Sequence, residues 1–151
     1  MGTAPATGAW ARTAADLMRR EVVTVSPEAS LFQLADLLRK EGVHGVPVVE
    51  ADGQVIGFAG ASDLLWLLDQ LLGATPDGTT SRKALDTTVR EVMTPDVFRV
   101  EPDTSLDALC RFFQRTGVHR ALVMEDGELL GVVSLSDLLV LVAERGERGD
   151  V

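Results

Sequence analysis

Apolar residues alternate between helical and strand-like spacing along this chain. A helical stretch follows Ser30, which forms a capping-box pattern with Gln33, and it stops at Gly42, a residue type that commonly ends helices. A shorter helix is predicted at 14–20 and a short strand at 22–25. The apolar positions that define the longer helix are Leu31, Leu34, Ala35, Leu37 and Leu38.

A β-hairpin is predicted after this helix. Residues 46–49 are a continuous apolar run, Asp52-Gly53 is a turn sequence, and residues 55–59 form the returning strand. Ser62-Asp63 then open a helix at 64–72 that is apolar almost all round and needs cover on more than one side. The pattern therefore predicts a domain of mixed α and β structure (α+β).

A second strand-to-helix junction lies near the C-terminus. Gly131 to Val133 is strand-like, Ser134-Leu135-Ser136 follows, and Asp137 opens a predicted helix. Such a junction brings hydroxyls and a carboxylate beside the free N–H groups of a helix start, where phosphate also binds. A carboxylate can accept hydrogen bonds from vicinal hydroxyls, as on a ribose. Ser and Asp are also ordinary helix caps, so the junction alone does not establish a ligand site.

The junction occurs twice because the chain contains a tandem repeat. The stretch from Met18 to His44 recurs at an offset of 75 (119 − 44 = 75). After a one-residue deletion beside Ala51 the offset is 74 (137 − 63 = 74). Each repeat is too small to bury its apolar faces alone, so the two should pack together. The predicted organisation is an N-terminal tail (1–12), repeat 1 (13–72), a linker (73–86), repeat 2 (87–146) and a C-terminal tail (147–151).

Composition and charge limit the classes of binding partner that are expected for this chain. The chain has 151 residues, of which 46% are hydrophobic and 25% charged, as in an ordinary globular protein. The net charge of -9 argues against a nucleic-acid or anionic-membrane surface. Because no run is long and apolar enough for a membrane span, and residues 1–8 lack the apolar core of a secretion signal, a cytoplasmic location is expected.

Few residues suggest catalysis or metal binding. The chain has no phosphate-binding loop, no nucleophile elbow and no acidic partner for Asp137 in a suitable motif, so an enzyme is not expected. Two histidines and scattered carboxylates lack metal-ligand spacing. Cys110, the single cysteine, lies on a helical pattern among leucines and phenylalanines and is predicted to be part of the core, with a reactive thiol as the alternative.

The repeated stretches resemble a known family. The residues that carry the resemblance are Met18, Val43 to Val49 and Gly57 to Leu64, with the second copies Met93-Thr94-Pro95, Gly117 to Val123 and Gly131 to Leu138. They resemble a pair of cystathionine-β-synthase (CBS) domains, or Bateman module. Val118-His119-Arg120 also resembles the nucleotide-sensing γ subunit of AMP-activated protein kinase. The resemblance implies two repeats, each a small β-sheet flanked by helices, related by a pseudo-twofold axis and with two clefts between them.

The resemblance implies one well-formed nucleotide cleft. Asp137 would bind ribose, and its hydroxyl partners would be Ser134 and Ser136. His119 and Arg120 would face phosphate, as suits cations at the mouth of an apolar sleeve. The adenine would lie against repeat 1 at Glu21 (through its backbone), Val22, Val23, Gly45, Val46 and Pro47.

The second implied cleft departs from the family pattern. Gly60 stands where Ser134 stands, Gly45 replaces the equivalent of Arg120, and Leu122 replaces that of Pro47. One lost hydrogen bond costs about 1 kcal/mol, so this cleft is expected to bind weakly or to be empty. Its remaining members would be Asp63, Ser62, His44, Val97 and Phe98, with Leu122 opposite them.

The implied function is regulatory. The module would sense AMP, ADP or ATP, use no other cofactor, and report occupancy to a regulated protein that the sequence does not identify. Alternatives are a ligand-free dimerisation or docking module, and the same cleft occupied by S-adenosylmethionine, a dinucleotide cofactor or a cyclic dinucleotide. The apolar helices at 64–72 and 138–142 imply a homodimer. Arg19, Arg20 and Arg90 could enlarge the basic mouth, although solvated surface is the simpler interpretation of each.

Overall fold

The computed structural model describes residues 12–73 and 82–147 and divides the chain into two compact units. The first unit contains Val23–Val97, and the second contains Phe98–Val151 together with the N-terminal segment up to Val22. In chain order the elements are α1 (Ala14–Leu17), α2 (Leu31–Glu41), β1 (Gly45–Val49), β2 (Val55–Gly60), a 3₁₀ turn (Ala61–Leu64), α3 (Leu65–Leu72), α4 (Arg82–Asp86), α5 (Val89–Val92), β3 (Arg99–Val100), α6 (Leu106–Thr116), β4 (Arg120–Glu125), β5 (Glu128–Ser134) and α7 (Leu135–Glu147).

The first unit is built around the predicted hairpin, β1 paired antiparallel with β2. The register places Gly45 opposite Gly60 and Pro47 opposite Phe58. The capping box that opens α2 is confirmed, because Ser30 and Gln33 exchange two hydrogen bonds of 2.8 and 3.1 Å. Gly42 ends the helix with φ 65°, as predicted. The core beneath the sheet consists of Val25, Leu34, Leu38, Val46, Val48, Ala59 and Val89.

The second unit repeats this plan with one added strand. Its sheet has the order β3-β4-β5, with β3 parallel to β4 and β4 antiparallel to β5. The register places Arg120 opposite Ser134 and Leu122 opposite Val132. The α+β class predicted from the sequence is therefore confirmed in both units. The core of the second unit consists of Ala14, Leu109, Phe113, Ala121, Val123 and Val133.

The N-terminal segment lies along β5, and this shortens the elements predicted there. The prediction of a helix to residue 20 was wrong: α1 ends at Leu17 because Met18 is extended (φ -68°, ψ 152°). Arg19 then exchanges two backbone hydrogen bonds with Val132, of 2.9 and 3.0 Å. The prediction of a strand at 22–25 was also wrong, since only Val25 forms a β-bridge, to Val48.

Three further expectations are corrected or limited by the structure. Cys110 is exposed and not part of the core, because the buried face of α6 is centred on Leu109 and Phe113 and Cys110 falls to one side of it. Helix α7 begins at Leu135, two residues before Asp137. Helix α4 occupies the end of the predicted linker, whereas 74–81, the N-terminal tail up to residue 11, and 148–151 lie outside the described residues.

No helix in the two described stretches combines the length and apolar character needed to cross a membrane.

Candidate functional site

Asp137 is the third residue of α7, and its carboxylate caps the N-terminus of that helix. Ser134, the last residue of β5, donates its backbone N–H to Asp137 Oδ2 at 2.8 Å and its hydroxyl to the same oxygen at 3.0 Å. The backbone N–H of Leu135 donates to the carbonyl of His119 at 2.9 Å. Because strand and helix join without a loop, a carboxylate three residues along can reach back to the last strand residue.

The other carboxylate oxygen of Asp137 faces a cation. Within the described residues Oδ1 accepts no hydrogen bond, and Arg19 Nε lies 4.0 Å from it. The Asp137 side chain is 16% exposed and that of Arg19 79% exposed. One oxygen is therefore committed to the helix start, while the other is available to a group that arrives from solvent.

The remaining polar residues predicted for this site belong to the same unit. Arg120 is half-buried and lies directly opposite Ser134, a pairing that places their Cβ atoms about 5 Å apart. His119 precedes Arg120 and is exposed, as is Ser136 in the first turn of α7. Glu21 is exposed and Val22 half-buried in the N-terminal segment of this unit. The polar candidates for the site at Asp137 that lie in the second unit are therefore its carboxylate, the hydroxyls of Ser134 and Ser136, and the side chains of His119, Arg120 and Arg19.

The other residues predicted to bind the base lie in the first unit. Gly45 and Pro47 are buried on β1, and Val23 is half-buried just before the Val25 bridge. The Val46 side chain is 1% exposed and packs in the core, so only its backbone could contribute to a site.

Pro47 changes the hydrogen bonding of this strand. In the second unit, the Leu122 N–H donates to the Phe98 carbonyl at 2.9 Å. The corresponding pair in the first unit is Pro47 and Val23 (122 − 75 = 47 and 98 − 75 = 23). Proline has no N–H, so the Val23 carbonyl does not receive this bond and keeps its capacity to accept one.

The corresponding junction in the first unit has the same backbone cap but has glycines where the second unit has Ser134 and Arg120. The Gly60 N–H donates to Asp63 Oδ2 at 2.8 Å, with no hydroxyl beside it. A Cβ at Gly60 would lie 2.9 Å from the His44 carbonyl oxygen, and a Cβ at Gly45 would lie 2.5 Å from the Phe58 ring. Both glycines are therefore required by the packing, and an aromatic ring covers the position equivalent to Arg120.

The other residues predicted for the weaker cleft are distributed over both units. In the first unit Ser62 and His44 are exposed, and Asp63 and Val97 are half-buried. In the second unit Phe98 is 48% exposed and packs edge-on against Phe112 at 6.3 Å, while Leu122 is 2% exposed. Leu122 is therefore a core residue of its unit and offers little surface to a ligand.

Two other charged groups, Asp16 and Arg90, have partners that are part of the fold. The Thr13 N–H and hydroxyl hydrogen-bond Asp16 Oδ2 at 2.8 and 3.1 Å, which lowers the pKa of that carboxyl. A carboxylate held by an amide and a hydroxyl is therefore a capping device of this fold as well as a possible ribose site. Arg90 donates to Glu28 and Glu50, contacts that raise its pKa. Arg90 belongs to this ion-pair cluster of the first unit.

Arg19 is the residue of this site to which sequence reasoning gave too little weight. The sequence offered no specific signal, since the corresponding residue of the other repeat is Thr94 (94 − 19 = 75). Only the pairing of the N-terminal segment with β5 brings Arg19 to Asp137. In the part of the chain that the structure describes, no group of three or more His, Cys, Asp or Glu side chains could hold a metal ion.

Comparison with known proteins matches both repeats to the CBS domain. The sequence model of the CBS domain matches residues 14–69 and 89–144, one match for each repeat. The CBS domain-containing protein YhcV of Bacillus subtilis is 29% identical over 125 residues, which cover 83% of this chain and 81% of YhcV. Protein MK0525 of Methanopyrus kandleri is 27% identical over 126 residues, covering 82% of this chain and 59% of that protein.

A solved structure supports the same assignment. The crystal structure of CBSX2 in complex with AMP superposes with a TM-score of 0.71 at 26% sequence identity. The superposition covers 88% of this chain and 97% of CBSX2.

Proposed function

Because this chain belongs to the CBS domain family, we propose that it is a regulatory module that binds AMP, ADP or ATP at Asp137 of the second unit. The observation that carries the proposal is the arrangement of the Asp137 carboxylate. Ser134 holds one oxygen, and the other lies 4.0 Å from Arg19 Nε and accepts no hydrogen bond among the described residues. The AMP bound to CBSX2, a relative over nearly its whole length, supports the choice of ligand.

The chemistry of the side chains assigns the parts of the nucleotide. Asp137 Oδ1 can accept a hydrogen bond from a ribose hydroxyl, and the positive end of α7 favours an anion nearby. His119 and Arg120 are the candidates for phosphate, because they flank the start of β4 and Arg120 lies opposite Ser134. Assignment of the base to Val23, Gly45, Val46 and Pro47 stays a prediction.

One nucleotide per chain is part of the proposal. The junction at Asp63 lacks the hydroxyl, and the Phe58 ring over Gly45 replaces a cation with an apolar surface. An unpaired phosphate beside that ring would lose hydration without gaining a partner. We therefore expect a binding stoichiometry near one.

Thermal melts and calorimetric titrations test the proposal. AMP, ADP, ATP, S-adenosylmethionine, NAD and cyclic di-AMP would each be added to wild type, Asp137→Ala and Asp63→Ala. Asp63→Ala is a matched control because it removes a capping carboxylate from the other junction. A ligand at about a hundred times its Kd adds about 2.7 kcal/mol, a shift of about 5 to 10 °C for a chain of this length.

The outcome expected is a shift for an adenine nucleotide in wild type and Asp63→Ala that is absent in Asp137→Ala. Flat melts for the whole panel, or a shift that survives in Asp137→Ala, would refute the nucleotide site. A shift for S-adenosylmethionine, NAD or the cyclic dinucleotide alone would retain the site and replace the ligand.

A homodimer is proposed from the exposed apolar helices. In the first unit, α3 exposes Leu65 (64%), Leu68 (51%) and Leu72 (78%) at the three- and four-residue spacing of one helix face. In the second unit, α7 exposes Leu139 (65%) and Val142 (63%). Apolar surface of this kind marks an interaction site, and a second copy of the chain is the simplest occupant. A cytoplasmic location and a separate regulated protein complete the proposal.

A further inference from the structure

Arg19 combines a hydrogen-bonded backbone with an exposed side chain. Its N–H and carbonyl both hydrogen-bond Val132, at 2.9 and 3.0 Å, so its Cα is held beside β5. Gly131 allows this approach, because any Cβ there would lie 2.6 Å from the Arg19 carbonyl oxygen. The guanidinium extends from this point into solvent with 79% of the side chain exposed. Arg19 can therefore change its partner without moving the chain.

The present partner of Arg19 is the group that a ribose would need. Asp137 Oδ2 is already bonded to the Ser134 amide and hydroxyl, so an incoming hydroxyl must use Oδ1. Arg19 Nε lies 4.0 Å from that oxygen. Exposed ion pairs at this separation contribute little, so a ligand can displace the guanidinium at small cost.

The other junction of the chain lacks this side chain. Thr94 exchanges the same pair of backbone hydrogen bonds with Phe58, both of 2.9 Å, that Arg19 exchanges with Val132. Gly57 permits that approach as Gly131 does here. The same backbone therefore carries a cation only in the unit whose carboxylate also has a hydroxyl beside it, which ties the cation to the site at Asp137.

We propose that Arg19 is a specificity-determining residue that exchanges Asp137 for the 5′-phosphate of the nucleotide. In the free protein the guanidinium pairs loosely with Oδ1 at 4.0 Å; when a ribose hydroxyl occupies Oδ1, the guanidinium turns to the phosphate. Arg19 then distinguishes AMP, ADP and ATP from adenosine, which offers the diol without the anion. This inference rests on the proposed nucleotide site at Asp137.

Calorimetric titration with adenosine, AMP and ATP tests the exchange in wild type, Arg19→Ala and Arg20→Ala. Arg20 is the matched control, since it is the next residue, exposed, and carries the same charge. Loss of a charge-assisted contact predicts that Arg19→Ala weakens AMP about tenfold and ATP at least as much. The Kd of Arg19→Ala for adenosine should be unchanged or lower, because the Arg19 guanidinium no longer competes for Oδ1. Arg20→Ala should change all three only slightly.

The outcomes separate this inference from the proposed function. If wild type binds neither adenosine nor a nucleotide, both are refuted. If wild type binds AMP but Arg19→Ala weakens adenosine and AMP by the same factor, or changes neither, the nucleotide site stands and the exchange is refuted. Arg19→Lys retains the charge and should keep part of the preference for AMP over adenosine.

Discussion

Substitution of Gly131 by alanine tests the close approach on which the candidate site depends. The added Cβ would lie 2.6 Å from the Arg19 carbonyl oxygen and 2.7 Å from Met18 Sδ. The methionine can rotate away, but the carbonyl belongs to a backbone held by two hydrogen bonds to Val132. The N-terminal segment must therefore shift away from β5, and Arg19 moves with it.

The expected magnitude follows from the interactions that this shift would break. Two backbone hydrogen bonds at about 1 kcal/mol each, together with the strain of overpacking, give a loss of about 3 kcal/mol in the free energy of unfolding. For a chain of this length the loss corresponds to a fall in Tm of about 6 to 12 °C. Affinity for AMP, measured at a temperature where the variant is folded, should fall as well, because Arg19 is displaced from Asp137.

The control is Gly146→Ala. Gly146 lies in α7, and apart from its chain neighbours and the backbone of its own helix no atom lies within 4 Å of the position that a Cβ would occupy there. Alanine at this position should be neutral or stabilise the protein by about 0.5 to 1 kcal/mol through helix propensity. Urea or thermal unfolding of the three proteins measures both effects. A Gly131→Ala variant within about 0.5 kcal/mol of wild type would refute the reasoning, since surface substitutions without strain fall in that range.

Three further predictions follow from other parts of the structure. Gly60→Ser, which supplies the hydroxyl missing from the first unit, should lower Tm and create no second nucleotide site, because its Cβ would lie 2.9 Å from the His44 carbonyl oxygen; calorimetric stoichiometry is the check. Leu68→Asp should shift the protein toward monomer in light scattering, and an unchanged mass would count against α3 as the dimer contact. The lowered pKa of Asp16 means that its contribution to stability is present above the unfolded pKa and is lost as pH falls through the folded pKa; Asp16→Asn should therefore flatten the acid side of the stability curve.

Local signals in the sequence predicted the elements of this fold well. The capping box at Ser30 depends only on the residues next to Ser30, and the left-handed helix end at Gly42 only on those next to Gly42. Both features are present as predicted. The hairpin strands were likewise identified from apolar runs and a turn sequence. Errors occurred where a distant segment determined the local backbone. Pairing with β5 ends α1 at Leu17, and no pattern within residues 14–20 announces that pairing.

The residue at which α7 begins also determines the contacts of the Asp137 carboxylate. The sequence interpretation placed Asp137 at the first position of α7, whereas the helix begins at Leu135 and Asp137 is its third residue. In this geometry Ser134 bonds Oδ2, and among the described residues Oδ1 accepts no hydrogen bond. Asp137 as a ligand residue therefore stays a prediction, and the choice of Oδ1 as the oxygen proposed to meet the ligand depends on the backbone geometry.

Residue types at short or constant spacing were enough to establish the tandem repeat, the CBS family and the α+β elements, and to propose the polar residues of the site at Asp137. Such spacing is visible without coordinates. Three other features required the folded chain: the N-terminal segment belongs to the second unit, Cys110 is exposed, and Arg19 faces Asp137. Arg19 and Asp137 are 118 positions apart (137 − 19 = 118), and they meet because Gly131 lets one backbone lie against another.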